Sequence, residues 1–229
     1  MKAIILAAGR GSRMGNLTVD KPKGMVKLGG KMLLEWQINA IRKAGIGEIV
    51  IVRGYCGNAM LFSDIDYLEN KRWKTTNMVA SLCEAREFLK KEDCVVSYAD
   101  IVYTSNTVRS LMKKEGDIVI TYDINWYALW KARFADPLSD AETFQVNNDG
   151  ILLEIGNRTR SLDKINGQYM WLLKFTAHGW SLVQNYLDTL SQELVDRLDM
   201  TGMLRGLLGK GIKIHTVPIT DPWFEVDSE

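Results

Sequence analysis

Histidine is nearly missing from this chain: His178 and His215 are the two in 229 residues. A histidine general base or a multi-histidine metal centre has little to draw on. Cysteine is sparse as well. Cys56, Cys83 and Cys94 are an odd, scattered set without CxxC spacing, which argues against a zinc knot or a redox pair and suits reduced thiols in a cytoplasmic protein. Long apolar runs are lacking. Met1-Lys2 is followed by six apolar residues before Gly9, too few for the core of a signal peptide or a membrane span. Charge of one sign is not in excess either. The net charge is +1, so composition carries no footprint for nucleic acid or an anionic membrane. With only four prolines and no Gly/Ser-rich stretch, repeat or low-complexity tract, nothing reads as a linker. One domain over residues 1–229 is expected, with halves meeting near residues 123 and 124.

Hydrophobic residues make up 46% of the chain, enough for a sizeable core. Lys2–Leu6 is an apolar strand that runs into a glycine-rich loop. Lys31–Ala44 reads as a helix from Leu34, Ile38 and Ile41, stopped by Gly45. Glu48–Arg53, Cys94–Ala99 and Asp117–Tyr122 read as further buried strands. Thr76–Leu89 and a stretch from Ser105 to Lys114 read as helices between them. After Asp123 the rhythm changes. A hairpin turns at Asn148-Asp149-Gly150, a strand covers Gln168–Phe175, helices cover Ala177–Leu190 and Gln192–Leu208, and a last strand covers Lys213–Val217. This order predicts an α/β fold, a Rossmann-like three-layer α/β/α arrangement with a mixed, mostly parallel central sheet.

The chemistry concentrates in Gly9-Arg10-Gly11-Ser12-Arg13-Met14. A dinucleotide fingerprint needs glycine where Met14 stands, and the P-loop pattern GxxxxGK[ST] is missing. Two glycines after a strand still free backbone N–H groups to wrap a phosphate, and Arg13 adds a planar fork of donors. Ten residues beyond Arg13, Lys23 follows Lys21-Pro22 as a second cationic point. A tight turn with solvated charges accounts for the loop taken alone. Asp100 stands at the end of an apolar strand, where carboxylates of open α/β sheets face the ligand crevice, although a helix cap or a turn explains a lone Asp there too.

Taken together, Leu6-Ala7-Ala8-Gly9-Arg10-Gly11-Ser12-Arg13-Met14 and Lys21-Pro22-Lys23 resemble the signature of the nucleotidyltransferases that build nucleotide-sugars and CDP-alcohols. The resemblance implies that Leu6, Ala7, Ala8, Gly9 and Ala99 meet the nucleoside. Gly11, Ser12 and Arg13 would embrace the triphosphate, and Lys23 the α-phosphate, with Arg13 and Lys23 as the catalytic pair. It implies Mg2+ held by Asp100 and by Asp227 of Trp223-Phe224-Glu225-Val226-Asp227, which is similar to the family's W-x-E-[IV]-D segment. No general base is implied, because an anionic acceptor phosphate can attack phosphorus directly.

Lys74-Thr75-Thr76-Asn77-Met78-Val79-Ala80-Ser81-Leu82 resembles a stretch of the choline-phosphate and aminoethylphosphonate cytidylyltransferase branch. That adds Asn77 and Ser81 to the nucleotide-binding set, though Thr76 capping a helix with Asn77 on the surface is the plainer alternative. For the acceptor, the expected residues are Trp130, Lys131, Arg133, Glu142 and Tyr169. Trp126 and Trp130, four residues apart, are also what core packing would give. Asp136-Pro137-Leu138-Ser139 and the neighbourhood of Asp100 resemble a subgroup tied to bacterial capsule decoration, one member type of which makes CDP-linked phosphoglutamine. The expected reaction is transfer of CMP from CTP to a small phosphorylated metabolite, phosphoglutamine-like or phosphocholine-like, with release of pyrophosphate. A sugar-1-phosphate enzyme using UTP or dTTP and an inactive nucleotide-binding module are the rivals. The expected partners are CTP and the acceptor, with neither nucleic acid nor membrane, and a homodimer is compatible.

Overall fold

The computed structural model describes residues 1–133, 135–139 and 141–226. Seven strands build the central sheet: β1 (Lys2–Ala7), β2 (Ile49–Arg53), β3 (Asp66–Glu69), β4 (Cys94–Tyr98), β5 (Ile118–Asp123), β6 (Gln168–Phe175) and β7 (His215–Ile219). Their order across the sheet is β7-β5-β6-β4-β1-β2-β3. β1 lies parallel between β2 and β4. Its side chains show why the run is apolar throughout: Ala3, Ile5 and Ala7 enter the core on one face, and Ile4 and Leu6 enter the core on the other. A strand covered on both faces has no polar side to alternate.

Helices α1 (Leu33–Ala44), α4 (Ser105–Lys113) and α5 (Trp126–Arg133) supply one layer, through Leu34, Ile38, Ile41, Val108, Leu111, Trp126 and Trp130. Helices α2 (Met78–Glu84), α3 (Arg86–Leu89), α6 (Ala177–Leu187), α7 (Gln192–Arg197) and α8 (Met200–Gly209) lie along the other, with Leu82, Trp180, Val183, Met203 and Leu207 in its core. The three-layer fold with a mixed, mostly parallel sheet is as the sequence predicts. Only β6 runs against its neighbours β4 and β5. Its direction follows from the path of the chain. β5 ends at the carboxyl edge of the sheet, and the next forty-odd residues, including the Glu142–Val146/Leu152–Arg158 hairpin, precede a strand whose first residue, Gln168, pairs with the last of β5, Asp123.

Several boundaries differ from the sequence reading. The helix expected over Thr76–Leu89 starts at Met78 behind an Asn77 cap and breaks at Ala85. Thr104, not Ser105, caps α4, accepting from the Thr107 N–H. The expected helix Gln192–Leu208 is two helices, because Asp199 caps a new one at Met200. Lys31 and Met32 pair with Lys27 and Leu28 instead of opening α1. The last strand lies two residues later than expected and puts Pro218 on the sheet edge, where its missing N–H costs no ladder bond. β3 is not anticipated at all, since Asp66-Tyr67-Leu68-Glu69 is a half-exposed edge strand with no apolar run.

Candidate active site

The carboxyl ends of β1 and β4 open into a cleft of about 150 Å3. Leu6, Ala7, Gly9 and Gly11 line it from β1 and its loop, Arg13 and Lys23 from the segment beyond, and Ala99 and Asp100 from the end of β4. Gly11 has φ +70, and a Cβ there would lie 2.7 Å from the Cβ of Lys23. Glycine is thus required both for the backbone and for the approach of the lysine. Behind the loop, Met14 is buried with Val26 and Leu33 in a small core of its own, and Thr18 Oγ1 donates to the Gly11 carbonyl at 3.0 Å. These contacts hold a glycine-rich turn that its own sequence would leave mobile.

Lys23 is 8% exposed, and its Nζ lies 2.8 Å from Asp100 Oδ2. The other carboxylate oxygen, Asp100 Oδ1, is buried and has no hydrogen-bond partner among the described residues. A buried acceptor with no donor is costly unless something else fills the role. One hard oxygen beside a cleft lined by Gly9, Gly11, Arg13 and Lys23 fits a magnesium ion that would arrive with phosphates and draw its other ligands from them and from water. The second expected ligand, Asp227, lies outside the described residues. Among the described residues, no group of three or more His, Cys, Asp or Glu is arranged to hold a metal. Val226 N–H donates to the Asp100 carbonyl at 2.9 Å, so the chain just before Asp227 reaches Asp100.

Four expected nucleotide residues do not line the cleft. Ala8 is buried beneath it and receives the Tyr55 N–H at 3.0 Å. Ser12 is exposed at the start of the turns over Ser12–Thr18. Asn77 caps α2 by accepting from Met78 N–H, and its Nδ2 donates to the Arg197 carbonyl. Ser81 is buried, its Oγ accepting from Asn70 Nδ2 at 3.0 Å. Met78 packs against the core from its edge and also lines the cleft. The signal lay in its place as first residue of the helix.

The expected acceptor residues divide. Tyr169 and Trp130 stand at two ends of a row of rings, Tyr169–Trp171–Trp223–Trp130, with centroids 5.7, 6.1 and 6.4 Å apart. Tyr98 joins at Trp171, 6.4 Å away. Arg133 lies over the Trp130 ring and 3.8 Å from Glu225. Trp130 itself is buried against Trp126, as the core-packing alternative has it. Lys131 and Glu142 are exposed and do not line the cleft. Trp171 has φ +53 in a register irregularity of β6. Such a conformation is strained for a bulky residue and turns its ring into the row. Tyr98, Trp223 and Glu225 were not singled out for the acceptor, although the W-x-E segment contained two of them. Burial, reinforced by the Asp100 charge, raises the Tyr98 phenol well above its ordinary range, and burial does the same to Tyr169. Both are neutral hydroxyls, suited to hydrogen bonding and not to proton abstraction. His178 lies in the first turn of α6 and His215 opens β7, at the opposite end of the sheet from the cleft.

Residues 3–151 match the MobA-like NTP transferase domain. The chain belongs to that family. As an NTP transferase, it resembles along its whole length the CTP:phosphoglutamine cytidylyltransferase of Campylobacter jejuni, at 36% identity over 99% of this chain and 96% of that one. A 71-residue stretch is 44% identical to the choline-phosphate cytidylyltransferase of Streptococcus pneumoniae and covers 31% of this chain and 29% of the relative. Among solved structures, the inositol-1-phosphate CTP transferase of T. maritima superposes with a TM-score of 0.79 at 20% identity, covering 99% of this chain and 89% of that one. That last likeness concerns the transferase fold. The family resemblance read from the loop and the Lys21-Pro22-Lys23 segment thus holds, and the Lys23–Asp100 contact joins its two halves.

Proposed function

We propose that this transferase moves CMP from CTP to a small phosphorylated acceptor and releases pyrophosphate. The observation that carries the reading is the buried Lys23–Asp100 pair at the mouth of the glycine-rich loop, which places a cation and a spare carboxylate oxygen in one cleft. The choice of CTP is supported by the full-length relative, a CTP:phosphoglutamine cytidylyltransferase. The acceptor is phosphoglutamine-like or phosphocholine-like. The product serves the decoration of a bacterial surface polysaccharide, and the enzyme works in the cytoplasm. Among the described residues no helix is long and apolar enough to cross a membrane.

An oxygen of the acceptor phosphate attacks the α-phosphorus of CTP. The new P–O bond forms as the bond to the β-phosphate oxygen breaks, and pyrophosphate leaves with those electrons. The attacking oxygen is already anionic, so no proton has to be removed, in keeping with a cleft lined by neither histidine. The N–H groups of Gly9 and Gly11 and the cations of Arg13 and Lys23 oppose charge that grows on the phosphoryl oxygens. Asp100, with Asp227, would hold magnesium, which would neutralise phosphate charge. The partly exposed rings of the row, Trp171 and Tyr98 beside Asp100, face the acceptor.

The test is pyrophosphate release with Mg2+ and each of CTP, UTP, dTTP, ATP and GTP, against phosphocholine, phosphoethanolamine, aminoethylphosphonate, phosphoglutamine and glucose-1-phosphate. Release with CTP alone and an amine or amide acceptor is expected. Release with glucose-1-phosphate and UTP or dTTP overturns the choice of nucleotide. Asp100→Asn removes the metal-binding charge and should lower turnover about 10²-fold or more, with a raised magnesium requirement. Unchanged magnesium dependence in that variant removes Asp100 from the metal site.

A further inference from the structure

The glycine-rich loop is anchored on its inner side by the buried Met14 and by Thr18, but its outer arm is exposed. Arg10 is exposed, Val19 is 55% exposed, and a Cβ at Gly9 would meet nothing within 4 Å. Tyr55, half-buried on the loop that follows β2, touches this arm at both ends. The backbone N–H of Tyr55 donates to the Ala8 carbonyl at 3.0 Å, where the loop begins. The Arg10 guanidinium lies over the Tyr55 ring, 5.5 Å from its centroid. The Tyr55 hydroxyl donates to the Val19 carbonyl, where the loop's turns end. The ring is braced from behind by Trp73, edge to face at 5.2 Å. Gly54 makes the approach possible, since a Cβ there would lie 2.7 Å from both the Ala8 carbonyl oxygen and Trp73 Cβ.

We propose that Tyr55 is the positioning residue of the phosphate-binding loop, a clamp that ties the loop's entry at Ala8 and Arg10 to its exit at Val19. A glycine-rich segment loses more conformational freedom on ordering than any other, and a ligand that must order it binds more weakly by that cost. Tyr55 meets the cost in the free protein. It contributes to nucleotide affinity without lining the cleft, and it leaves untouched the ring row, whose Tyr98, Tyr169 and Trp171 stand on β4 and β6.

The inference concerns the nucleotide loop of the proposed reaction and rests on that reading only for its ligand. Tyr55→Phe removes the hydroxyl and keeps the ring under Arg10, while Tyr55→Leu removes both. Limited trypsin digestion of the free protein reads the loop directly through cleavage after Arg10 and Arg13, with cleavage after the distant Lys210 as internal reference. Tyr55→Phe should speed loop cleavage about 3- to 10-fold, the worth of one hydrogen bond, and Tyr55→Leu should speed it further, with cleavage at Lys210 unchanged. CTP affinity by calorimetry should fall by a similar factor, with KM for the acceptor and kcat at saturating CTP near the wild type. Loop cleavage unchanged in both variants overturns the clamp, whatever the enzyme's activity. Faster cleavage with unchanged CTP affinity overturns its role in nucleotide binding. Absence of pyrophosphate release from the wild type would count against the proposed reaction, while the digestion still decides the clamp.

Discussion

Lys23 shows how far one residue's chemistry can be read before its partner is known. A cation ten residues beyond Arg13 in a Lys-Pro-Lys segment is expected to meet a phosphate, and its loop position to let it be lost without harm to the fold. The structure corrects the second point. Lys23 is buried and paired with Asp100, whose side chain is 15% exposed, so Lys23→Ala strands a buried carboxylate. Turnover should fall about 10²- to 10³-fold, and urea unfolding should show a loss of about 1–3 kcal/mol. Gly11→Ala tests the same contact from the other side. Its methyl group would strike the Lys23 stem and strain a left-handed backbone, costing about 1–2 kcal/mol and displacing Nζ from Asp100. Reduced turnover with an unchanged fold by circular dichroism is the expected result. The pair was not legible because 77 positions separate its members.

At the scale of elements, apolar periodicity located the long helices and buried strands, while side-chain caps set their ends. Asn77 is the clearest example. Its carboxamide caps α2 and also grips the Arg197 carbonyl of α7, so it joins two helices beside the cleft that Met78 lines. Asn77→Ala should lower stability by about 1 kcal/mol, measured by denaturant midpoint, and Asn77→Asp should recover the part due to the Met78 N–H. The turn at Ala85 and the restart at Asp199 were invisible to periodicity, because the apolar residues on either side keep the same spacing. The half-polar β3 was invisible for the opposite reason. An edge strand needs no apolar run.

Over the whole molecule, the sheet joins distant segments, and at its opposite end a histidine couples protonation to folding. His215 pairs with β5 beside Gly116, and burial, helped by Lys114 and Lys213, lowers its pKa below the ordinary 6.5. Between the two values the unfolded chain binds a proton that the folded chain does not. Stability is therefore full above 6.5 and declines as pH falls through the lowered value. His215→Gln should flatten that decline between about pH 7 and about pH 5 in thermal unfolding, while leaving turnover at neutral pH unchanged. A decline as steep as the wild type's would assign it to other groups.

The residues of the loop, the Lys21-Pro22-Lys23 segment and the strand ending at Asp100 were enough to name the family and its layered fold, because a glycine-rich turn with its cations is a local object whose residues lie close in sequence. The pairing of Lys23 with Asp100, the reversed β6, the strained Trp171 and the row of rings around it were decided by tertiary structure alone. Each depends on segments tens of residues apart meeting at one edge of a sheet, and no local pattern of side chains records which strand lies next to which.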